Sequence, residues 1–256
     1  MDTPKNRIHI LNCPVDALTM NETVDIIDKA ISRKEPVRHV AVNAAKLVNM
    51  QKNRELMESV ITSDIINADG QSVVWASRLL GQPLPERVAG IDLMDRLVEL
   101  ASRRAYKIYF LGAREEIVKK VCSRYSTLYS DKIIAGYRNG YFNADEESLI
   151  SESIANSRAD ILFVGMPSPK KELFLDHYKD QLNIPFIMGV GGSFDVVAGL
   201  VKRAPKWIQK IGLEWFHRLI QEPRKMWKRY LFTNCLFIFF VMKEKLKGTN
   251  TKKTRS

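Results

Sequence analysis

The 256-residue chain lacks the short signatures that identify several large enzyme classes. It has no Gly-x-Gly-x-x-G fingerprint, which argues against a dinucleotide-dependent oxidoreductase. It also has no Gly-x-Ser-x-Gly elbow, the mark of many hydrolases. Its 4 histidines show no metal-ligand spacing, and no Asp-x-Asp pair occurs. We therefore expect neither a bound metal nor a cofactor.

Cysteine is scarce as well. Cys13, Cys122 and Cys235 are far apart, and no Cys-x-x-Cys motif pairs them. The sequence does not open on a secretory signal. Reduced thiols in a cytosol are the expectation from this pattern.

Long hydrophobic runs are also missing. The longest apolar run in the C-terminal part covers residues 230–242, which is shorter than the roughly 20 residues that a spanning helix needs. Three interpretations remain open for this run. It forms a helix that is buried or packs on the body, a helix at a membrane surface or partner interface, or a transmembrane span.

Positive charge is concentrated in the last quarter of the chain. Residues 201–256 contain 15 of the 40 Lys and Arg residues but only 3 of the 29 Asp and Glu residues, so residues 1–200 are nearly neutral. Basic, apolar and aromatic residues in one segment favour binding to an anionic membrane surface. A non-catalytic protein that binds nucleic acid or membranes is the alternative. The apolar residues 236–242 would serve no purpose on nucleic acid, so we expect no nucleic-acid partner.

Short apolar runs alternate with amphipathic stretches over the first 200 residues. The runs are nearly continuous, as in strands buried on both faces, and they cover residues 39–43, 65–69, 107–112, 133–137, 160–165 and 185–190. The sequence predicts a Rossmann-like α/β fold with a mostly parallel sheet and helices on both faces. We place this domain at residues 1–200. A basic amphipathic helical appendage is predicted for residues 201–256, with a disordered end from residue 247.

Polar residues follow the predicted strands, at the edge where ligands bind in such sheets. Asp69, before Gly70, is either a helix cap beside a turn glycine or a general base at a rigid strand end. Asn43 ends the first strong strand and is either a cap residue or a ligand contact.

Two further turns follow predicted strands. Glycine occupies three of the four positions 189–192, which either lets a phosphate approach the backbone or only packs a tight turn. Lys170 and Lys171 stand at a predicted helix start, where the helix dipole disfavours positive charge. They either bind an anionic ligand or form a solvated charged turn.

Seven ordered segments between about residues 8 and 230 together resemble the WecG/TagA/CpsF glycosyltransferases. They are Val40-Ala41-Val42-Asn43-Ala44, Asn67-Ala68-Asp69-Gly70, residues 84–93, Gly136-Tyr137 with Gly140-Tyr141-Phe142, residues 189–195, Lys202-Arg203-Ala204-Pro205 and residues 214–219. The resemblance implies inverting transfer of a sugar, such as ManNAc, ManNAcA or glucose, from a UDP-sugar to an undecaprenyl-diphosphate-linked sugar. It implies a role in making exopolysaccharide, capsule, teichoic acid or common antigen. The enzyme would be cytoplasmic and peripheral on the inner face of the bacterial cytoplasmic membrane, and oligomerisation is possible.

The resemblance also assigns roles to particular residues. Asp69 would be the catalytic base, and Asn43 would help to position the donor or the acceptor. Arg87 would counter charge on the donor diphosphate or on the acceptor phosphates. The donor would contact Asn43, Gly112, Tyr141, Lys171, Gly191, Gly192 and Asp195. The acceptor diphosphate would contact Arg218, Arg224, Lys225, Lys228 and Arg229. Arginine and lysine, rather than a metal, would stabilise the leaving UDP.

Two positions depart from the family pattern. Ala41 stands where many members have Thr, and this Ala-x-Asn form resembles the WecG branch. Lys171 stands where many members have Gln. A lysine at that position can pair with a phosphate or with a uronate carboxylate of the donor, so the donor sugar stays open.

Overall fold

The computed structural model of the chain describes residues 6–253, without the side chains of residues 210, 225, 226, 228, 229 and 248–253. Its strands are β1 (Arg7–Ile10), β2 (Cys13–Asp16), β3 (Val37–Val42), β4 (Ile65–Ala68), β5 (Ile108–Gly112), β6 (Ile134–Arg138), β7 (Ile161–Gly165) and β8 (Phe186–Gly189). Strands β1 and β2 form an antiparallel hairpin. The other strands form one parallel sheet in the order β4-β3-β8-β7-β5-β6. All six predicted strands are present, so the Rossmann-like α/β prediction is confirmed.

The helices alternate with the strands, as predicted. They are α1 (Met20–Ser32), α2 (Ala44–Met50), α3 (Arg54–Ile61), α4 (Gln71–Leu79), α5 (Gly90–Arg104), α6 (Glu115–Leu128), α7 (Glu147–Asn156), α8 (Lys170–His177), α9 (Lys179–Leu182), α10 (Ser193–Val197), α11 (Lys206–Lys210), α12 (Glu214–Gln221) and α13 (Pro223–Lys253). Short 3-10 turns cover Asp131–Ile133 and Ala144–Glu146. The reciprocal bonds of a capping box join Thr19 and Glu22 at the start of α1.

Helices cover both faces of the parallel sheet. Because side chains alternate along a strand, Phe110 of β5 packs with α5 and α6, whereas its neighbour Leu111 packs against α7 and α8. Beside them, β3 and β4 pack against α2, α3 and the β1–β2 hairpin. Burial on both faces explains why the strand sequences are nearly continuous apolar runs.

The hairpin has no counterpart among the sequence-based predictions. Its turn residues Leu11 and Asn12 both have positive φ, 52° and 62°, without the glycine that usually announces such a turn. Contacts from distant helices hold the turn instead. The Leu11 N–H donates to Glu244 of α13 at 2.9 Å, and the Leu11 carbonyl accepts from Gln51 at 2.9 Å. The residues of the turn themselves therefore gave little indication of a hairpin.

Helix α13 packs with one face on the body and exposes the other. Phe237 and Val241 are only 4% and 3% exposed, in the same cluster as α2 and the hairpin. Phe232, Ile238 and Phe239 are about 60% exposed. The packed-helix interpretation of residues 230–242 thus holds for one face, and an apolar surface remains on the other.

Two further observations concern this helix. Among the helices that the structure describes, none combines the length and apolarity needed to cross a bilayer. The helix also continues to Lys253, so residues 247–253 are helical where their polar composition predicts disorder. Residues 254–256 lie outside the described part of the chain.

Candidate active site

The carboxyl ends of β3 and β4 bring Asn43 and Asp69 together. The two strands are adjacent and parallel, with Val42 aligned to Ala68, so the residue after each strand reaches the same edge. The Asp69 N–H donates to the Val42 carbonyl at 2.9 Å. A Cβ added to Gly70 would lie 3.4 Å from the Asn43 Cβ, which is van der Waals contact, so the turns after the two strands are in contact. The two predicted residues are therefore neighbours at this edge of the sheet.

The Asp69 carboxylate is held by a helix that is distant in sequence. Its Oδ1 accepts a hydrogen bond of 3.0 Å from the N–H of Gly90, the first residue of α5. Helix α4, which follows Asp69, begins with Gly70 as its N-cap and has no side-chain cap. The interpretation of Asp69 as a cap of the helix after it is therefore wrong, because its carboxylate accepts a hydrogen bond from the start of α5 instead. Asn43, by contrast, does cap α2, since its Oδ1 accepts from the Lys46 N–H at 3.0 Å.

Burial controls the proton affinity of Asp69. Burial at the sheet edge raises the pKa of this carboxyl above its ordinary value. The Gly90 hydrogen bond and the positive charges of Arg87 and Lys46 act in the opposite direction. The negative charge of Glu214 adds to the rise. A raised pKa makes Asp69 a better proton acceptor than an exposed aspartate.

Arg87 makes an ion pair with the appendage. Its Nη1 lies 2.9 Å from Oε2 of Glu214 in α12, and its side chain is only 14% exposed. The other oxygen of Glu214 lies 3.5 Å from Nε of Arg203. The family resemblance assigned Arg87 to the phosphate charge of the donor or acceptor, but it assigned no role to Glu214 or Arg203.

The glycine-rich turn after β8 lies between two cationic side chains. A Cβ on Gly189 would lie 2.7 Å from Cε of Lys171, and one on Gly192 would lie 3.3 Å from Nη2 of Arg218. The close-packed-turn interpretation is therefore correct for Gly189, because the Lys171 stem occupies the space of a side chain. The Lys171 Nζ lies 3.9 Å from the position of a Cβ on Gly191. The turn thus places positive charge on two sides, as a phosphate site requires.

Two backbone N–H groups of this turn already donate hydrogen bonds to the sheet. The N–H groups of Val190 and Gly191 both donate to the Val164 carbonyl, at 2.9 and 3.4 Å. The flanking cations are therefore better placed than these two amides to hold an anion.

Lys171 belongs to a buried group of charges. It is 7% exposed, so the prediction of a solvated charged turn is wrong for this residue. The Glu172 carboxylate lies 3.2 Å from Nζ of Lys171 and 2.9 Å from Nζ of Lys46. Burial alone would raise the pKa of Glu172, but the two lysines outweigh it and lower the pKa. Two cations against one anion leave a net positive charge beneath the glycine-rich turn.

Lys170 has a separate partner. Its Nζ donates to the Phe142 carbonyl at 3.2 Å and lies 4.3 Å from the centre of the Phe142 ring. This contact joins the start of α8 to the loop after β6.

The other predicted donor residues also lie at this edge. Gly112 has a φ of +131°, and a Cβ there would lie 2.5 Å from the backbone of Gly165, so this glycine lets β5 and β7 approach closely. Gly140 packs in turn on Gly112, and the adjacent Tyr141 is 72% exposed. Asp195 lies in the first turn of α10, directly after the glycine-rich turn.

The predicted acceptor residues are described only in part. Arg218 of α12 reaches the glycine-rich turn, and Arg224 is exposed near the start of α13. The side chains of Lys225, Lys228 and Arg229 lie outside the described residues. A Cβ on Gly212 would lie 2.6 Å from the Gln71 side chain, so the turn before α12 docks against α4.

Sequence reasoning missed five contributors to this edge. They are Lys46, Gly90, Glu172, Arg203 and Glu214. Gly90, Arg203 and Glu214 lie within segments that carry the family resemblance, and Glu172 matches the Glu of the Gln-Glu pair that many family members have. Lys46 had no sequence signal. Over the described ranges, no three His, Cys, Asp or Glu side chains gather as metal ligands would.

Comparison with known proteins covers almost the whole chain. The family model described as "Glycosyl transferase WecG/TagA/CpsF family" matches residues 8–251. The chain is 34% identical over 241 residues to the N-acetylglucosaminyldiphosphoundecaprenol N-acetyl-beta-D-mannosaminyltransferase of Bacillus subtilis (strain 168), covering 94% of this chain and 93% of that protein. It is 37% identical over 175 residues to the protein of the same name from Bacillus spizizenii (strain ATCC 23059 / NRRL B-14472 / W23), covering 68% of this chain and 67% of that protein.

Proposed function

Because the chain belongs to the WecG/TagA/CpsF family of glycosyl transferases, we propose that it transfers N-acetylmannosamine from UDP to undecaprenyl-diphosphate-linked N-acetylglucosamine. The observation that carries this proposal is the 34% identity, over 94% of the chain, to an enzyme named for that transfer. The transfer inverts the anomeric configuration of the donor sugar and gives a β-linked product.

Asp69 is the general base of the proposed reaction. Its carboxylate takes the proton from the acceptor hydroxyl, whose oxygen forms the new bond to the anomeric carbon. The bond from that carbon to the diphosphate breaks, and UDP leaves with the electron pair. The partly buried position of Asp69, its raised pKa and the Gly90 hydrogen bond support this role, because they provide a basic oxygen in a fixed direction.

The leaving UDP carries growing negative charge, which the glycine-rich turn is suited to stabilise. Lys171 and Arg218 flank this turn, and Arg87 lies near Asp69. Fixed cations at a largely buried site stabilise a developing anion without reorganising. We assign the donor diphosphate to this turn, with Tyr141 and Asp195 towards the uridine.

The acceptor is delivered from a membrane, which the C-terminal segment contacts. Helix α13 exposes Phe232, Ile238 and Phe239, and residues 201–256 contain 15 Lys and Arg residues against 3 Asp and Glu residues. Apolar side chains with surrounding basic residues bind anionic lipid surfaces. The enzyme is then peripheral on the inner face of the cytoplasmic membrane, with Arg224 near the acceptor diphosphate and Arg218 at the donor turn.

A donor panel tests the proposal. The purified chain is incubated with a short-chain prenyl-diphosphate N-acetylglucosamine and, in separate reactions, UDP-ManNAc, UDP-ManNAcA, UDP-glucose and UDP-GlcNAc. We expect a mass gain of one N-acetylhexosamine from UDP-ManNAc alone, with a β linkage by NMR. Transfer from another donor in preference would overturn the donor assignment. Absence of transfer from every donor would overturn the proposed reaction.

A further inference from the structure

Four charged side chains form a continuous series of ion pairs between the appendage and the segment beside Asp69. The two oxygens of Glu214 lie 2.9 Å from Nη1 of Arg87 and 3.5 Å from Nε of Arg203. The two terminal nitrogens of Arg203 donate to the two oxygens of Asp92, at 2.5 and 2.6 Å. We call Arg87, Glu214, Arg203 and Asp92 the ion-pair series.

Both ends of the ion-pair series attach to one short segment, residues 87–92. Within this segment, the Val88 N–H donates to the Ala68 carbonyl at 2.9 Å, and the Gly90 N–H donates to Asp69. Two hydrogen bonds therefore fix the segment to the end of β4. Its flanking residues, Arg87 and Asp92, are held from the other side by Glu214 and Arg203.

The series is more than a set of isolated surface pairs. Its four side chains are between 14% and 40% exposed. The Arg203–Asp92 pair is bidentate, the strongest geometry for an arginine and a carboxylate. Exposed single pairs contribute little, but a partly buried network restrains the groups that it joins. Movement of the appendage would therefore move residues 87–92.

We propose that Glu214 and Arg203 are positioning residues, which hold residues 87–92 in place so that Gly90 orients the Asp69 carboxylate. The role rests on the proposed function in one respect, namely that Asp69 is the catalytic base. It couples a lipid-facing segment to the reactive carboxylate.

Glu214→Gln is the direct test, because it preserves the side-chain shape and removes the charge. We expect faster amide hydrogen exchange at Gly90 and a kcat lowered by about tenfold or more, with a donor KM within about twofold of wild type. The charged groups that act on Asp69 are Arg87, Lys46 and Glu214. Without the Glu214 charge, the acid limb of the kcat–pH profile moves to lower pH, which a purely structural contact would not cause.

Asp28→Asn is the matched control. Asp28 pairs with Arg104 at 2.8 Å and accepts from the Tyr106 hydroxyl at 2.7 Å, at the far end of the same helix α5. The replacement removes the carboxylate that pairs with Arg104, and it makes no change at residues 87–92. We expect wild-type exchange at Gly90 and an unshifted pH profile for this variant. Shifts as large as those of Glu214→Gln would overturn the proposal.

Arg203→Lys is the second variant, and it covers the case in which Glu214→Gln does not fold. Lysine keeps the charge but loses the bidentate contact with Asp92. We expect exchange at Gly90 to be faster than in wild type. The proposal is overturned if amide exchange at Gly90 is unchanged in both variants. If Glu214→Gln does not fold, unchanged exchange at Gly90 in Arg203→Lys alone overturns it. Amide exchange requires no substrate, so it decides this inference even if the proposed transfer reaction is not observed.

Discussion

The Oδ1 atom of Asp69 lies 3.0 Å from the backbone nitrogen of Gly90. This hydrogen bond joins the end of one strand to the start of helix α5, which is 15 residues long. The positive end of the helix dipole therefore points at the carboxylate and favours its charged form. Burial acts in the opposite direction and raises the pKa. The site thus keeps a partly buried carboxylate in one orientation, with a proton affinity above that of an exposed aspartate.

Asp69→Asn should lower kcat by roughly 10²–10⁴-fold, the usual range for a lost general base. Asparagine retains an oxygen for the Gly90 hydrogen bond, so the local structure should persist. UDP-ManNAc binding, measured by calorimetry, should stay near wild type. Asn67→Asp is unsuitable as a control because Asn67 is buried against His39, whereas Asp28→Asn is a neutral replacement of the same type at a distance. Turnover close to wild type in Asp69→Asn would contradict the base assignment.

The same replacement should stabilise the fold at neutral pH. A carboxyl whose folded pKa is raised stabilises the folded state while it is protonated, and this contribution is lost as pH rises from the unfolded pKa through the folded pKa. Asp69→Asn should therefore have a higher Tm than wild type near pH 7, by about 2–4 °C per kcal/mol relieved. Below the ordinary aspartate pKa of about 3.9 the difference should disappear. Calorimetric scans across pH measure this effect, and a Tm difference independent of pH would contradict it.

The sequence was informative about the sheet and less so about the charges around it. Apolar runs such as residues 160–165 predicted buried strands because burial on both faces demands continuous apolar residues. Because parallel strands end at the same edge of a sheet, Asn43 and Asp69 were predicted to lie at one edge. The hairpin was missed because its turn at Leu11 depends on Glu244, which is 233 residues away. Sequence spacing does not reveal long-range contacts of that kind.

The ion pairs around the site were also not predictable from sequence spacing. Glu172 looks like an ordinary residue in the first turn of α8, yet it pairs with Lys46 of a distant helix. Glu214 lay inside a segment that resembles the family, but the resemblance did not supply its partners. Only the packing of the appendage on α4 and α5 brings Glu214 within 2.9 Å of Arg87.

Lys171→Gln should weaken donor binding while leaving the fold intact. The variant removes one of the two cations beside the glycine-rich turn, but Lys46 still pairs with Glu172. We expect kcat/KM for UDP-ManNAc to fall by roughly tenfold or more, as for a lost charge-assisted hydrogen bond. Both a higher KM and a lower kcat contribute, because the negative charge of the diphosphate grows as UDP leaves. Lys170→Gln is the matched control because that side chain contacts Phe142 rather than the turn. Equal effects of the two variants would contradict a specific role for Lys171. A loss confined to UDP-ManNAcA would instead indicate a contact with a uronate carboxylate.

Ile238→Ser combined with Phe239→Ser should reduce binding to anionic vesicles. Both side chains lie on the exposed face of α13, so the change removes apolar surface without touching the packed residues Phe237 and Val241. Full burial of one such side chain is worth about 1.5–3 kcal/mol, so partial insertion of two should still lower vesicle affinity by tenfold or more. Sedimentation with vesicles that contain phosphatidylglycerol measures the affinity. Leu149→Ser is the control, because Leu149 is similarly exposed but belongs to α7 on the body. If the double variant bound vesicles as tightly as the control, α13 would not be the lipid-contacting helix, and the basic residues alone would have to account for membrane binding.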